Sequence, residues 1–201
     1  MLPDLQQHRS FLLVQKITFL INRYQYFVYD NAVQGEQIGF VEQKRFTFRE
    51  QMTVWKNEQK SEQLFTVRAE KVLDIHGKFL IEDSSGLLLG YCRKAFGASL
   101  LRSTWEIYDA KDQLQFVCKE KNEGVAIGRR IAQFIPFVGD FAHIVPFNFI
   151  FEKDGQIVGS HHRVWGSFND RYALEVTEAL DNCDRRLLLS LGILLDALQD
   201  R

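Results

Sequence analysis

The sequence lacks the features that would place it in several specialised classes of protein. Its three cysteines, Cys92, Cys118 and Cys183, stand far apart without a CxxC pair, which fits neither a zinc knuckle nor a disulfide framework. Lys and Arg number 25 against 26 Asp and Glu, so the net charge of -1 gives no overall attraction to nucleic acid. We therefore expect reduced thiols in a cytoplasmic protein and no nucleic-acid partner.

Export signals and long hydrophobic runs are also missing. The first ten residues lack the charged-then-apolar layout of a secretory signal, and the apolar run that follows is interrupted by Gln15 and Lys16. The most apolar stretch, 125–151, contains two arginines, an aspartate and two prolines, whereas a membrane span needs about 18 uninterrupted apolar residues. With 46% hydrophobic and 25% charged residues, the composition is that of an ordinary globular protein, and we expect one domain over residues 1–201.

A repeated hairpin pattern runs along the chain. In four stretches an apolar alternating run leads into an acidic turn, often with Gly, and then into a second apolar run. Alternation places every second side chain on one face of a strand, so each stretch predicts a β-hairpin with one buried face. Further strands are expected near 11–20, 46–55, 64–73 and 170–177, for about twelve in all. The four hairpin stretches read KFLIEDSSGLLLGYCRK, TWEIYDAKDQLQFVCKE, NFIFEKDGQIVGSHHRV and YFVYDNAVQGEQIGFVEQK.

The C-terminal segment predicts a helix over about 183–198. Asp181 and Asn182 are candidate caps for its first turn, and Asp184 lies near its positive end. From Leu187 onward the apolar side chains cover nearly the whole circumference of the helix, which leaves no solvent face. The residues predicted to form the core are Leu187, Leu188, Leu191, Ile193, Leu194, Leu195 and Leu198.

The length and the apolar content of this helix decide what surrounds it. Its seven leucines and one isoleucine represent about 12 to 24 kcal/mol of burial, so exposure to water is excluded. Twelve residues make a rod of roughly 18 Å, too short to cross a bilayer but suited to threading a small barrel. We predict a closed antiparallel β-barrel of about twelve strands that encloses the helix. Asp196 then either reaches the barrel rim or is paired inside, because an unpaired buried carboxylate is strongly unfavourable.

Two pairs of basic residues are candidates for ligand binding. Arg93 and Lys94 end a predicted strand, and Arg129 and Arg130 open a short amphipathic helix predicted near 125–136. Both pairs could contact an anionic phospholipid, although two charges supply only about 1 kcal/mol each near an anionic surface. The alternative for the second pair is a helix that closes one end of the barrel with its arginines in solvent.

The hairpins FLIEDSSGLLLGYCRK and TWEIYDAKDQLQ, followed by LLLSLGILLDAL, resemble the LURP-one-related family over nearly the whole chain. That family is grouped with tubby C-terminal domains and phospholipid scramblases. The resemblance implies a twelve-stranded antiparallel barrel around a hydrophobic C-terminal helix. Tubby-like members bind phosphoinositides through basic residues outside the barrel, but those contacts do not transfer residue by residue to this sequence. The cysteine cluster and final membrane anchor of the scramblases have no counterpart here.

Candidate metal ligands are few and poorly spaced. His161 and His162, with His143 and Asp154, could be imagined as ligands, but adjacent residues of a strand point to opposite faces of the sheet. The acidic turn at 109–112 lacks the regular oxygen ladder and central Gly of a calcium loop, so turn formation explains its acids better. We expect no metal and no cofactor.

Catalytic motifs are also not found. The sequence has no GxSxG elbow, and GVAIGRR has neither the full GxGxxG nor the Lys-Ser/Thr of a phosphate loop. We therefore expect a non-catalytic binding or scaffold domain, with anionic phospholipid at a membrane surface as the preferred ligand. The first alternative is a protein-interaction or regulatory module that uses a sheet face near Trp165. The second is an enzyme or a small-ligand carrier with a pocket at the barrel mouth.

Overall fold

The computed structural model describes residues 5–17, 21–44, 51–70, 77–95, 104–120, 148–164 and 170–199. The amphipathic helix that we predict near 125–136 lies outside these residues. Within the described ranges, twelve strands are followed by one α-helix, α1. The strands are β1 Ser10–Ile17, β2 Ile21–Asp30, β3 Val33–Lys44, β4 Gln51–Trp55, β5 Gln63–Ala69, β6 Lys78–Asp83, β7 Leu88–Lys94, β8 Thr104–Asp109, β9 Leu114–Glu120, β10 Asn148–Lys153, β11 Gln156–Arg163 and β12 Asp170–Val176; α1 spans Arg185–Gln199.

The strands form a closed barrel in which each is hydrogen-bonded to its neighbours in the sequence and β12 closes onto β1. Every pair is antiparallel, as short hairpin connections require. The predicted antiparallel barrel of about twelve strands around one helix is confirmed. We name its two ends. The turn end carries the five hairpin turns at 31–32, 56–62, 84–87, 110–113 and 154–155, and the far end carries the opposite ends of the strands.

Alternation along the strands produces one apolar face that points into the barrel. Phe79 and Ile81 of β6 are both buried, and they pair with Cys92 and Gly90 of β7. Across the barrel, Phe151 of β10 is fully buried in the same core. Each strand thus contributes alternate side chains to one common interior, as a period of two requires.

The acidic residues of the turns have the local role that the sequence predicts. The Asp83 carboxylate accepts hydrogen bonds from the Ser85 and Leu87 backbone N–H groups at 2.8 and 3.0 Å. Asp109 accepts in the same way from Lys111 and Gln113, both at 2.9 Å. Such side-chain bonds replace backbone partners that the reversing chain loses, so these turns have a defined shape.

Helix α1 begins at Arg185, two residues later than the start predicted from the sequence. Its cap is Asp184, whose Oδ1 accepts a hydrogen bond from the Arg186 backbone N–H at 2.9 Å. The two residues that we proposed as caps precede this position, and Asp181 instead accepts a hydrogen bond from the Arg185 side chain. A carboxylate at the first turn also compensates the positive end of the helix dipole.

The helix enters the barrel at the turn end and runs along its interior. Every residue from Leu187 to Asp196 is buried, including all the predicted core positions except Leu198, which is half-buried near the far end. Asp196 is therefore enclosed rather than placed on the rim. Burial raises the pKa of Tyr26, and the charge of Asp196 makes a smaller contribution to the same increase. The part of the chain that the structure describes contains no helix long and apolar enough to cross a membrane.

Close contacts fix the position of the helix against β2 and β12. The Tyr26 hydroxyl donates a hydrogen bond to the Leu189 carbonyl at 2.5 Å. At Gly192, an added Cβ would stand 2.9 Å from a methyl carbon of Leu174, which is closer than real Cβ atoms approach a neighbour. The missing side chain thus lets the helix backbone lie directly against the wall.

The Arg185 side chain ties the helix start to the rest of the turn end. Only 1% of the residue is exposed, and its guanidinium donates to the carbonyls of His8, Leu180 and Cys183 at 2.8, 2.6 and 3.1 Å. It also contacts the Asp181 carboxylate at 3.2 Å. A buried cation needs such a complete set of acceptors, and the arginine in return fixes the entry loop around the first turn of the helix.

We expect Leu191→Asp to unfold the protein, because the change places a charge among the buried side chains and costs more than about 4 kcal/mol. Leu87→Asp is the matched control, since Leu87 is 65% exposed, and it should shift the free energy of unfolding by less than about 0.5 kcal/mol. Circular dichroism during urea unfolding checks both values. A folded Leu191→Asp variant with an unchanged midpoint would contradict the role of the helix as the core.

Arg185→Met should destabilise the protein by about 3 to 5 kcal/mol, since it leaves several buried carbonyls without a donor. The control is Arg186→Met, which removes a partly exposed arginine paired with Asp184 at 2.6 Å and should cost about 1 kcal/mol or less. Thermal unfolding of the two variants gives the comparison. Equal losses would show that Arg185 has no special role at the helix start.

Candidate binding surfaces

Arg93 and Lys94 point to opposite faces of the barrel wall and do not form one basic patch. Arg93 is exposed on the outer face, where Nη2 lies 2.6 Å from a carboxylate oxygen of Glu106. Lys94 pairs in register with the buried Trp105, and its Nζ lies 5.9 Å from the centre of the indole ring. Adjacent residues of a strand must separate in this way, so only Arg93 is offered to a ligand outside.

Arg93 belongs to a cluster of stacked rings on the outer face of β6–β8. The rings of Tyr91 and Tyr108 stack with their centres 4.8 Å apart, and Lys78 Nζ lies 3.9 Å above the Tyr91 ring. The Arg93 guanidinium donates to the Tyr108 hydroxyl at 2.9 Å in addition to its ion pair with Glu106. An anion would have to displace Glu106, so this cluster is a poor attractor of anionic headgroups.

Other cations on the outer wall are compensated in the same way. Several of them lie beside a carboxylate, usually on the adjacent strand, so their positive charge is neutralised where it arises. Exposed pairs of this kind contribute little stability, but they reduce the electrostatic potential that an anionic partner meets. The pairs include Arg23–Glu42 at 3.0 Å, Arg68–Glu82 at 2.6 Å, Lys78–Glu70 at 3.6 Å and Lys119–Glu152 at 2.5 Å.

The remaining candidates from the sequence, Arg129, Arg130 and the sheet face near Trp165, lie outside the described residues. Of the four basic residues that we proposed for ligand binding, the structure describes Arg93 and Lys94.

The interior of the barrel becomes polar toward the far end. Gln15 of β1, Glu120 of β9 and His161 of β11 face inward and are at least 95% buried. These residues were not predicted from the sequence to differ from the outward-facing polar ones. The signal was present, however, because Gln15 follows Leu13 by two positions and therefore shares its inward face.

His161 lies between two aromatic rings on this inner face. Its ring stacks on Tyr172 with centres 5.1 Å apart and tilts against Phe149 at 6.2 Å. Burial, with a smaller contribution from the neighbouring His162, lowers the pKa of His161 to about 3. The imidazole is therefore neutral at physiological pH and poorly matched to proton transfer there. The predicted opposite orientation of His161 and His162 agrees with the register, since His162 lies on the outer face beside Ser160.

The three thiols are buried and weakly acidic. Burial raises the pKa of Cys92 and Cys118 well above the ordinary value, and it raises that of Cys183 to about 12. The thiolate is the reactive form of cysteine, and these shifts keep its population very small at neutral pH. The described cysteines are thus free, buried thiols.

Large hydrophobic side chains are exposed at the turn end. Leu87, Leu114 and Ile157 are 65%, 48% and 65% exposed, and they stand at the β6–β7, β8–β9 and β10–β11 turns. These three hairpins are consecutive around the barrel. We name these three residues the apolar rim. Leu114 and Ile157 pair with the outward-facing Tyr108 and Glu152. Leu87 stands opposite Asp83, next to the Glu82–Leu88 pair, and therefore belongs to the other face of the wall. Val33, at 65% exposure, lies apart from it on the β2–β3 turn.

The apolar rim was not predicted from the sequence, because hairpin alternation was used only to find the buried face of each strand. Each rim residue stands at the end of a turn or within two residues of it, where the chain leaves the tip of the hairpin. A hydrophobic residue at such a position lies at the tip of its hairpin, where no adjacent strand covers its side chain. This positional signal identifies the residues, whereas hydropathy alone does not.

The low pKa of His161 gives a stability test. Below pH about 6.5 the unfolded chain takes up a proton on this imidazole, whereas the folded protein does so only near pH 3. Stability should therefore be lost as the pH falls through this interval, by about 2 to 3 kcal/mol between pH 7 and pH 4.5. His161→Phe keeps an aromatic ring and should remove that part of the loss. Urea unfolding at several pH values measures it, and parallel curves for the two proteins would exclude the assignment.

Two comparisons with known proteins bear on identity. A family model described as LURP-one-related matches residues 37–196, a range that runs from β3 into α1 and includes the apolar rim. A comparison with curated proteins found no match. The family match covers well over half of the sequence, and the barrel around a C-terminal helix is the architecture that the hairpin resemblance implied. The chain belongs to the LURP-one-related family.

Proposed function

We propose that this LURP-one-related chain is a non-catalytic binding domain that acts through its outer surface. The observation that carries the proposal is the position of α1, whose residues Leu187 to Asp196 are buried inside the barrel. Carrier barrels hold a ligand in a lumen that is free of protein. Here leucine side chains occupy that space along the helix, so we place recognition outside.

The chemistry of the buried groups supports a role without catalysis. His161 stays neutral across the physiological range because its pKa is lowered to about 3, and the thiols of Cys92 and Cys118 are held protonated. General acid-base catalysis works best with a pKa near the working pH, and nucleophilic catalysis by cysteine needs a thiolate. These shifts run in the opposite direction to what an active site needs. They also argue against an enzyme at the barrel mouth.

Anionic phospholipid is the ligand that we propose first, with the protein bound at the periphery of a membrane. Arg93 is paired with Glu106, and Lys94 faces the interior. We therefore assign the positive charge that contacts the phospholipid to Arg129 and Arg130. Two arginines near an anionic surface contribute about 2 kcal/mol together, enough for weak and reversible association. Such binding should weaken sharply with salt.

Co-sedimentation with vesicles tests the assignment of the charge. Arg129→Gln combined with Arg130→Gln should lower the affinity for phosphatidylserine-containing vesicles about thirtyfold at low salt. The matched control is Arg68→Gln combined with Arg93→Gln. It removes the same charge from two arginines that are already ion-paired, so it should change the affinity less than about threefold.

Equal losses in the two double variants would show that net charge alone drives the association. Absence of vesicle binding by the wild-type protein would remove phospholipid as the ligand and leave protein interaction as the function of the domain. The second candidate is favoured by one observation, the apolar rim, because three large hydrophobic side chains are exposed at neighbouring turns of one end of the barrel.

A further inference from the structure

We propose that residues 5–9 form a strap that latches the entry of helix α1, and that release of this strap opens the entry loop, residues 177–184, while the wall of the barrel stays closed. The inference goes beyond the proposed function, because it concerns a movement at the turn end and uses none of the residues assigned to phospholipid. It gives the domain two states that differ at one end only.

The strap lies at the turn end beside the point where the helix begins. It consists of a 3₁₀ helix at Leu5–Gln7 and two further residues that lead into β1. Leu5 is 9% exposed and belongs to the core, so it anchors the strap against the interior. The entry loop follows β12, the strand that pairs with β1. Strap and entry loop are therefore neighbours, although Gln6 and Asp181 are 175 positions apart in the sequence.

The Gln6 side chain joins the strap, the entry loop and the helix start. Its amide nitrogen donates to the backbone carbonyls of Asp181 and Cys183, the second at 2.9 Å. Its amide oxygen accepts from the Arg185 backbone N–H at 3.3 Å. The first N–H groups of a helix have no partner within the helix, so Gln6 supplies a cap from a distant part of the chain.

Two arginines connect the strap to the same loop. Arg9 Nε donates to Asp181 Oδ1 at 2.8 Å, and the Arg9 carbonyl accepts from the Val176 backbone N–H at 2.9 Å. From the other side, Arg185 Nε donates to the carbonyl of His8 at 2.8 Å. The Arg9 and Asp181 side chains are 50% and 44% exposed, so water and salt weaken this ion pair. The latch is thus polar and partly solvated, whereas apolar contacts hold the rest of the helix.

The nature of these contacts makes the turn end open before the wall. Segments held by a few partly exposed hydrogen bonds are those of low local stability. The wall strands, in contrast, are each hydrogen-bonded to a neighbour on both sides. Breaking the latch leaves these ladders and the buried leucines in place, so the open state costs less free energy than unfolding. A partner or a protease that captures the released strap shifts the population toward the open state, because it acts on that state alone.

The three buried thiols report which part of the protein opens. Cys183 lies in the entry loop and is 3% exposed, whereas Cys92 of β7 and Cys118 of β9 are fully buried in the wall. N-ethylmaleimide, added to the full chain at low urea concentrations, reacts with each thiol only after the opening that exposes it, and peptide mass spectrometry gives the three rates. Cys183 should react at least about tenfold faster than either wall cysteine. Its rate should hardly depend on urea, because local opening exposes little surface.

Gln6→Ala should raise the reaction rate of Cys183 about tenfold, because it removes three hydrogen bonds that exist only in the latched state. Arg9→Gln should raise this rate about threefold and should remove the increase that salt causes in the wild type. The matched control is Arg23→Gln, which removes a wall arginine of similar exposure, 45%, paired with Glu42 at 3.0 Å. It should leave the Cys183 rate within about twofold, since wall contacts persist while the entry loop opens. Circular dichroism establishes that each variant is folded.

Three outcomes would overturn the proposal: one common rate for all three thiols with the urea dependence of global unfolding, a Cys183 rate that Gln6→Ala leaves unchanged, or an equal increase in Arg23→Gln. The first result would show that the turn end and the wall open together. The second would show that the strap does not hold the entry loop. Vesicle co-sedimentation of Gln6→Ala should match that of the wild type, so failure of the latch and failure of the phospholipid assignment are distinguishable.

Discussion

The burial of helix α1 inside the barrel is the constraint on which the rest of this structure depends. Its leucines have no solvent face, and twelve strands provide a closed wall of inward-facing apolar side chains around them. The helix and the wall each present an apolar surface that the other covers, so neither is stable in water alone. Arg185 connects this core to the loop through which the chain enters the barrel.

A filled barrel has a direct consequence for function. Ligand-carrying barrels keep an apolar cavity, but in this protein the space is taken by the protein's own leucines. The buried polar groups near the far end include a neutral His161 rather than a group poised to transfer protons at neutral pH. Recognition is then a property of the outside, where ion pairs cover much of the wall and the turn end exposes the apolar rim.

The alternation of hydrophobic residues was sufficient to predict the strands, the hairpins and the enclosed helix. It succeeded because burial imposes a period of two on every strand, and because a helix that is apolar on all sides must be surrounded by the strands that precede it. The residue that caps the helix was not predicted correctly from the sequence. Asp184, rather than Asp181 or Asn182, caps the helix, since the cap depends on where the chain turns into the barrel and not on residue type alone.

The sequence by itself determined the closed barrel, the helix at its centre and the turn residues, because these follow from local periodicity and from the need to remove apolar surface from water. Only the tertiary structure decided which carboxylate pairs with each outer cation, as Glu106 does with Arg93, and that Leu87, Leu114 and Ile157 stand at neighbouring turns of one end of the barrel. The physical reason is that these relations depend on strand register and on the order of hairpins around the barrel. Residues more than 20 positions apart become neighbours only when the sheet closes.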